Sequence, residues 1–116
     1  MSKLTTHVLD TSTGKPASGV FVELYACNGV HTLLSTARTN GDGRCDQLVF
    51  ANNVMTPGEY EMVFHVGDYF RELRSDLPDP PFLAHVVIRF GIARSQGHYH
   101  IPLLVSPWSY ATYRGS

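Results

Sequence analysis

A two-residue rhythm of apolar and other side chains constrains this chain more than any other feature, because alternation of that period belongs to strands and cannot be laid on one side of a helix. In residues 19–26, GVFVELYA, the side chains Val20, Val22, Leu24 and Ala26 fall on one side and Phe21, Glu23 and Tyr25 on the other. Residues 59–66, EYEMVFHV, place Tyr60, Met62, Phe64 and Val66 together, with Glu59, Glu61, Val63 and His65 opposite. In residues 85–92, HVVIRFGI, Val86, Ile88, Phe90 and Ile92 alternate with His85, Val87, Arg89 and Gly91. Polar groups on one side only predict half-buried antiparallel sheet.

Weaker strand signals fall at 4–9, 31–37, 44–50, 98–105 and 109–114, which brings the expected number of strands to about eight. Turn chemistry separates them at Thr13-Gly14-Lys15-Pro16, Asn28-Gly29, Asn40-Gly41-Asp42-Gly43 and Pro57-Gly58. One helix is expected in DYFRELRSD, residues 68–76, with Asp68 as its cap, Tyr69, Phe70 and Leu73 at helical spacing and Pro78 as its stop. The prolines of LPDPPF, residues 77–82, predict an extended connection. The pattern as a whole is that of an all-β sandwich with one short helix. A chain of 116 residues can bury roughly two thirds of its surface without disulfides or metals, so a single domain over 1–116 is expected.

Nine Lys+Arg against ten Asp+Glu give a net charge of -1, and no basic run exists to draw in phosphates or an acidic membrane. Nucleic acid and membrane are therefore not expected partners. The charged fraction is 16%, below the roughly 25% of ordinary globular domains, which predicts that other subunits cover part of the surface. Cys27 and Cys45 are too few for a disulfide framework and are expected as buried thiols. The segment MSKLTTHVLDTSTGK lacks the apolar core of a secretory leader, and no stretch reaches the roughly 20 apolar residues of a membrane span. A cytoplasmic protein is the expectation.

Chemistry is concentrated in histidine. His98 and His100 are one residue apart in a strand candidate, so they share a face with Pro102 and Leu104 while Tyr99, Ile101, Leu103 and Val105 form the core side. In the first strand, Leu4, Thr6 and Val8 take the apolar side, leaving Thr5, His7 and Leu9 on the other. Three histidines thus point away from the core. On residue type alone they fit solvated or hydrogen-bonded side chains, ligands of a zinc ion lacking a nearby carboxylate or thiolate, or general acid–base catalysts with Arg44 or Arg114 holding an anionic group. Asp10 beside Thr11-Ser12 is read as a turn former, and Trp108 and Tyr110 as packing aromatics.

LTTHVLDTSTGKPASGV at the start, TNGDGRC in the middle and HYHIPLLVSPWSYATYRGS at the end resemble the transthyretin-like family whose enzymes are 5-hydroxyisourate hydrolases. The likeness covers nearly the whole chain, and its most specific part is the end Tyr113-Arg114-Gly115-Ser116, which separates the hydrolases from the hormone carriers of the same fold. It implies a transthyretin-like (prealbumin) β-sandwich and a homotetramer with a central channel. It also implies hydrolysis of 5-hydroxyisourate to 2-oxo-4-hydroxy-4-carboxy-5-ureidoimidazoline by attack of water on a ring amide carbonyl, with no cofactor and no metal. By the same resemblance His7, Arg44 and His100 are catalytic, and His98, Tyr113, Arg114, Gly115 and Ser116 bind the small-molecule substrate. A binding protein of this fold without turnover, or a hydrolase using the histidines as metal ligands, are the alternatives.

Overall fold

The computed structural model describes residues 3–45, 48 and 55–115. Among them the order is β1 (Lys3–Asp10), β2 (Lys15–Pro16), β3 (Phe21–Asn28), β4 (Val30–Arg38), β5 (Arg44–Cys45), β6 (Gly58–Phe64), α1 (Val66–Leu73), β7 (Val86–Ile92), β8 (His98–Val105) and β9 (Tyr110–Thr112). One sheet runs β2-β1-β8-β9, with β5 also paired to β1, and the other runs β4-β3-β6-β7. Both expected faces are present. Leu4, Val8, Tyr99, Ile101, Leu103 and Val105 of the first sheet are buried in the same core cluster as Val22, Leu24, Met62, Phe64, Val86 and Ile88 of the second. The accessible surface is 6621 Å², close to the roughly 6,300 Å² expected of a compact chain of this mass.

Parallel pairing of β1 with β8, from Lys3↔His98 to Asp10↔Val105, is the feature that builds the first sheet's outer face. The stubs β2 and β5 share the other edge of β1, through Leu9↔Pro16 and His7↔Arg44. The strand expected over 44–50 is seen as Arg44–Cys45. Leu48 is buried and its N–H donates to the Leu4 carbonyl, so that residue lies against β1, and the other positions of that expectation lie outside the described residues.

The helix begins earlier than its sequence signal. It spans Val66–Leu73, its N-cap is His65 without a side-chain cap bond, and Asp68 sits in the first turn instead of capping. Val66, expected at the end of a strand, is buried as the first helical residue. Gly67 disguises this start, since glycine is a poor helix former, yet a Cβ there would lie 2.9 Å from Ala84 Cα and 3.0 Å from Pro81 Cγ. Close packing of the helix on 81–84 requires the glycine. Leu73 is exposed and Phe70 buried, so Phe70 carries the apolar anchor.

Asp10 is structural, as its turn position predicts. Its buried carboxylate accepts from the Ser12 N–H at 2.9 Å, the Ser12 hydroxyl at 2.6 Å and the Tyr69 hydroxyl at 2.9 Å, tying α1 to the end of β1. Burial and this carboxylate push the Tyr69 phenol well above its ordinary pKa. Asp10→Ala is expected to destabilise the fold by about 1–3 kcal/mol, because it removes the buried charged acceptor that ties the Ser12 turn and the half-buried Tyr69 hydroxyl to the end of β1. Urea unfolding of the variant measures it, and a loss under about 1 kcal/mol would show that the tie is dispensable.

Two further expectations fail. Trp108 and Tyr110 are exposed by 55% and 47%, so they do not pack within the chain, although the Arg74 guanidinium lies 5.0 Å above the Trp108 ring. Cys45 is buried as expected of a thiol, but Cys27 is only half-buried, on the outer face of the second sheet.

Candidate active site

Three local devices gather the charged and basic side chains of the first sheet's outer face. The parallel register sets Thr5 opposite His100 and His7 opposite Pro102. Antiparallel β5 sets Arg44 opposite His7 from the other edge. The turn before β5 is clamped: Asn40 Oδ1 accepts from the N–H groups of Asp42 and Arg44, and the Gly43 carbonyl accepts from Val8 N–H at 2.8 Å. Gly43 has φ +74 and a Cβ there would lie 2.5 Å from the Val8 carbonyl oxygen, so only glycine lets the turn approach β1 this closely. Arg44 is thereby delivered beside His7 on a rigid turn.

Thr5 was not singled out by the sequence, and the structure places it at the centre. Its Oγ1 is 2.7 Å from His98 Nε2 and 2.7 Å from His100 Nδ1, on a side chain that is almost fully buried. A hydroxyl has one proton, so at least one of the two rings must donate to it. In the arrangement where His100 Nδ1–H donates to Thr5 and the Thr5 hydroxyl donates to His98 Nε2, the lone pair of His100 Nε2 is left for a reacting proton. Thr5 therefore couples the two tautomers. Its co-facial spacing with His7 was the available signal.

Burial lowers the pKa of His100 first, and the nearby His98, Arg44 and His7 lower it further, against a small opposing effect of a hydrogen bond with the Thr5 backbone. The ring is therefore held neutral to lower pH than a free histidine. A neutral imidazole beside a fixed guanidinium can take a proton from water while the cation meets developing negative charge.

The tail divides. The Gly115 N–H donates to the His100 carbonyl at 2.8 Å, and a Cβ on Gly115 would lie 2.6 Å from His100 Cδ2. Tyr113 and Arg114 turn the other way. Arg114 sits 4.3 Å over the Tyr99 ring, and both residues line a 350 Å³ cavity with Ile88, Phe90, Tyr99 and Ile101, away from the histidines. Pro102 explains the turn: continuing the β8–β9 register places Tyr113 opposite a residue with no N–H, and the ladder lapses there before resuming at His100↔Gly115. Ser116 lies outside the described residues. His98 is exposed at the rim of the cluster. A larger cleft, about 500 Å³, opens beside α1 and holds His65 but none of these residues.

The fold and the histidine face define a transthyretin-type sandwich, and the chain belongs to the HIUase/Transthyretin family, which it matches over residues 4–115. Among known proteins it is 53% identical over 117 residues to a 5-hydroxyisourate hydrolase of Pseudomonas aeruginosa, covering 100% of this chain and 93% of that one. Among solved structures it is similar to a Klebsiella pneumoniae 5-hydroxyisourate hydrolase, at 34% identity and TM-score 0.82 over 100% of both chains. It is also similar to an (S)-allantoin synthase, at 40% identity and TM-score 0.89, where it covers 99% of this chain but spans only 44% of that one. The Sparus aurata transthyretin matches at 27% identity and TM-score 0.85 over 97% of this chain and 96% of that one. Among the described residues no helix is long and apolar enough to cross a membrane.

Proposed function

We propose that this chain is a 5-hydroxyisourate hydrolase, opening the substrate's six-membered ring by attack of water on an amide carbonyl. The observation that carries the reading is the joining of His7, Arg44 and His100 on one outer face, in a chain 53% identical to a protein of that name. Binding without turnover, the transthyretin alternative, is less well supported, because the transthyretin match is at 27% identity. The decisive experiment adds the protein to freshly generated 5-hydroxyisourate and follows absorbance by stopped flow. No acceleration over the uncatalysed decay would refute the assignment.

In this mechanism His100 Nε2 takes the proton of the attacking water, with Nδ1–H anchored on Thr5. His7 orients the water or protonates the leaving ring nitrogen. Arg44 offers a planar fork of donors to the carbonyl oxygen as it gains charge. His98 holds Thr5 in its donating role, and Gly115 with Ser116 completes the substrate's surroundings in the proposed homotetramer, whereas Tyr113 and Arg114, which turn away from the histidines of their own chain, could act only at a neighbouring subunit's site. The chemistry needs no cofactor. Chelator treatment is accordingly expected to leave the rate unchanged, whereas a loss restored by added metal would favour a metal-dependent hydrolase.

The lowered pKa of His100 makes a signed prediction. Activity of a neutral base is full at high pH and falls as pH drops through its pKa in the folded protein, which lies below the ordinary 6.5. The acid limb of the rate profile is therefore expected below pH 6.5. Arg44→Gln removes one of the charges that lowers it, so the limb should move up toward 6.5 while the maximal rate falls. Arg44→Lys should keep the limb in place yet fail to restore the rate, since a point charge lacks the planar fork. Full activity of the lysine variant would reduce Arg44 to a long-range charge.

A further inference from the structure

We propose that Cys27, His31 and Glu61 form a transition-metal site of the kind that takes Zn²⁺, on the outer face of the second sheet and separate from the histidine cluster. One donor atom from each lies within 4.8 Å of the other two, and His31 Nε2 and Glu61 Oε1 are 2.9 Å apart. A tetrahedral ion with bonds of about 2.0–2.3 Å needs donor atoms about 3.4 Å apart. That separation falls between the two observed limits, so side-chain adjustment alone reaches it. Thiolate, imidazole and carboxylate together select zinc-like ions over calcium or magnesium.

The backbone assembles the set from three strands. The tight connection at Gly29, φ +86, makes Cys27 and His31 direct partners in the β3–β4 ladder. A bulge helps: pairing jumps from Leu24↔Ser35 to Tyr25↔Leu33, leaving Leu34 as the extra residue. Without that shift Cys27 would face Thr32. Glu61 on β6 is opposite Tyr25, two residues before Cys27 along β3, and so on the same face.

Neighbouring groups hold the donors in place, as outer partners of metal ligands do. The Tyr25 ring stacks on His31 with centroids 4.1 Å apart and planes 11° apart. Arg89 Nη1 reaches Glu61 Oε2 at 3.5 Å, leaving Oε1 for the ion, and Arg89 Nε is bonded to Glu59 at 3.0 Å, which offsets its charge. A cavity of about 200 Å³ bordered by Cys27, Gly29, Val30, His31 and Arg89 leaves room for a water as fourth ligand. On binding, the Cys27 thiol proton passes to solvent, the proton shared by His31 Nε2 and Glu61 Oε1 leaves Nε2 through solvent, to Nδ1 if the ring is neutral, and the two atoms freed of their hydrogen bond each take a metal bond.

The test is titration of the reduced, chelator-treated protein with Co²⁺, followed by Zn²⁺ competition. One equivalent of Co²⁺ is expected to produce a thiolate-to-cobalt charge-transfer band that Zn²⁺ abolishes. Cys27→Ser should remove the band, and Glu61→Gln should weaken binding at least about tenfold, both with unchanged circular dichroism and unchanged hydrolase rate. A double variant, His98→Asn with His100→Asn, should retain the band, so failure of the hydrolase assignment and failure of the metal site are told apart. Absence of the band in the unaltered protein, its persistence in Cys27→Ser, or its loss in the His98/His100 variant overturns the proposal.

Discussion

His100→Ala is expected to lower turnover of 5-hydroxyisourate by at least about 100-fold, the usual scale for removing a positioned proton acceptor. The ring stands outside the core, on the face opposite Ile101 and Leu103, so its removal opens no cavity among packed side chains. Nor is a buried charge lost, since the folded protein holds the ring neutral. Unfolding midpoint and circular dichroism should therefore match the unaltered protein. His7→Ala should cost a similar factor, and because both act on one water, the double variant should lose much less than the product of the two. Normal turnover in both single variants would remove acid–base catalysis from this face. Loss in His7→Ala alone would transfer the base role to His7.

The placement of these histidines was readable from strand parity, for a physical reason. Where one side of a strand is buried, a residue's side follows from its neighbours, and Tyr99, Ile101 and Leu103 determined where His98 and His100 must point. The same logic gave β3, β6 and β7. It failed where the backbone departs from a two-residue repeat. The bulge at Leu34 reverses parity halfway along β4, so HTLLSTA shows no clean alternation and the meeting of His31 with Cys27 could not be foreseen. Parity says nothing of pairing between distant strands either. The parallel β1–β8 register alone brings Thr5 between His98 and His100, residues more than ninety positions away. The helix start was hidden because Gly67 answers to packing against Ala84 and not to helix propensity. Arg44 and the tail were marked by family likeness, since on their own a turn arginine and a chain end read as solvated groups.

Removing Tyr113–Ser116 is expected to abolish activity, and the intact enzyme's specific activity is expected to fall when it is diluted below its assembly constant. Within one chain the histidine face is open: Arg44 and His98 are exposed, and His7 and His100 are only half-buried. An open face excludes little water, and in water a guanidinium or an imidazole hydrogen bond contributes a fraction of what it does when enclosed. Something must cover it. Away from that face, Trp108, Tyr110 and Tyr113 stand exposed by 55%, 47% and 61%, aromatic surface that association with other subunits would cover. The proposed homotetramer would supply the enclosure by closing on the histidine face. The tail contributes in a second way that one chain already displays, because Gly115 bonds the His100 carbonyl and packs on the ring. Gly115→Ala would put a methyl 2.6 Å from His100 Cδ2 and 3.2 Å from Pro102 Cγ, so the ring must shift. A displacement of about 1 Å costs on the order of 100-fold when reacting groups must align. Sedimentation and activity measured across one dilution series, for the intact chain, the truncation and Gly115→Ala, separate the two roles. Truncation should lose both assembly and rate, and the alanine variant should lose rate while remaining assembled. A fully active monomer would refute enclosure by neighbouring subunits, and an unimpaired Gly115→Ala would show that the His100 ring has slack the geometry does not reveal.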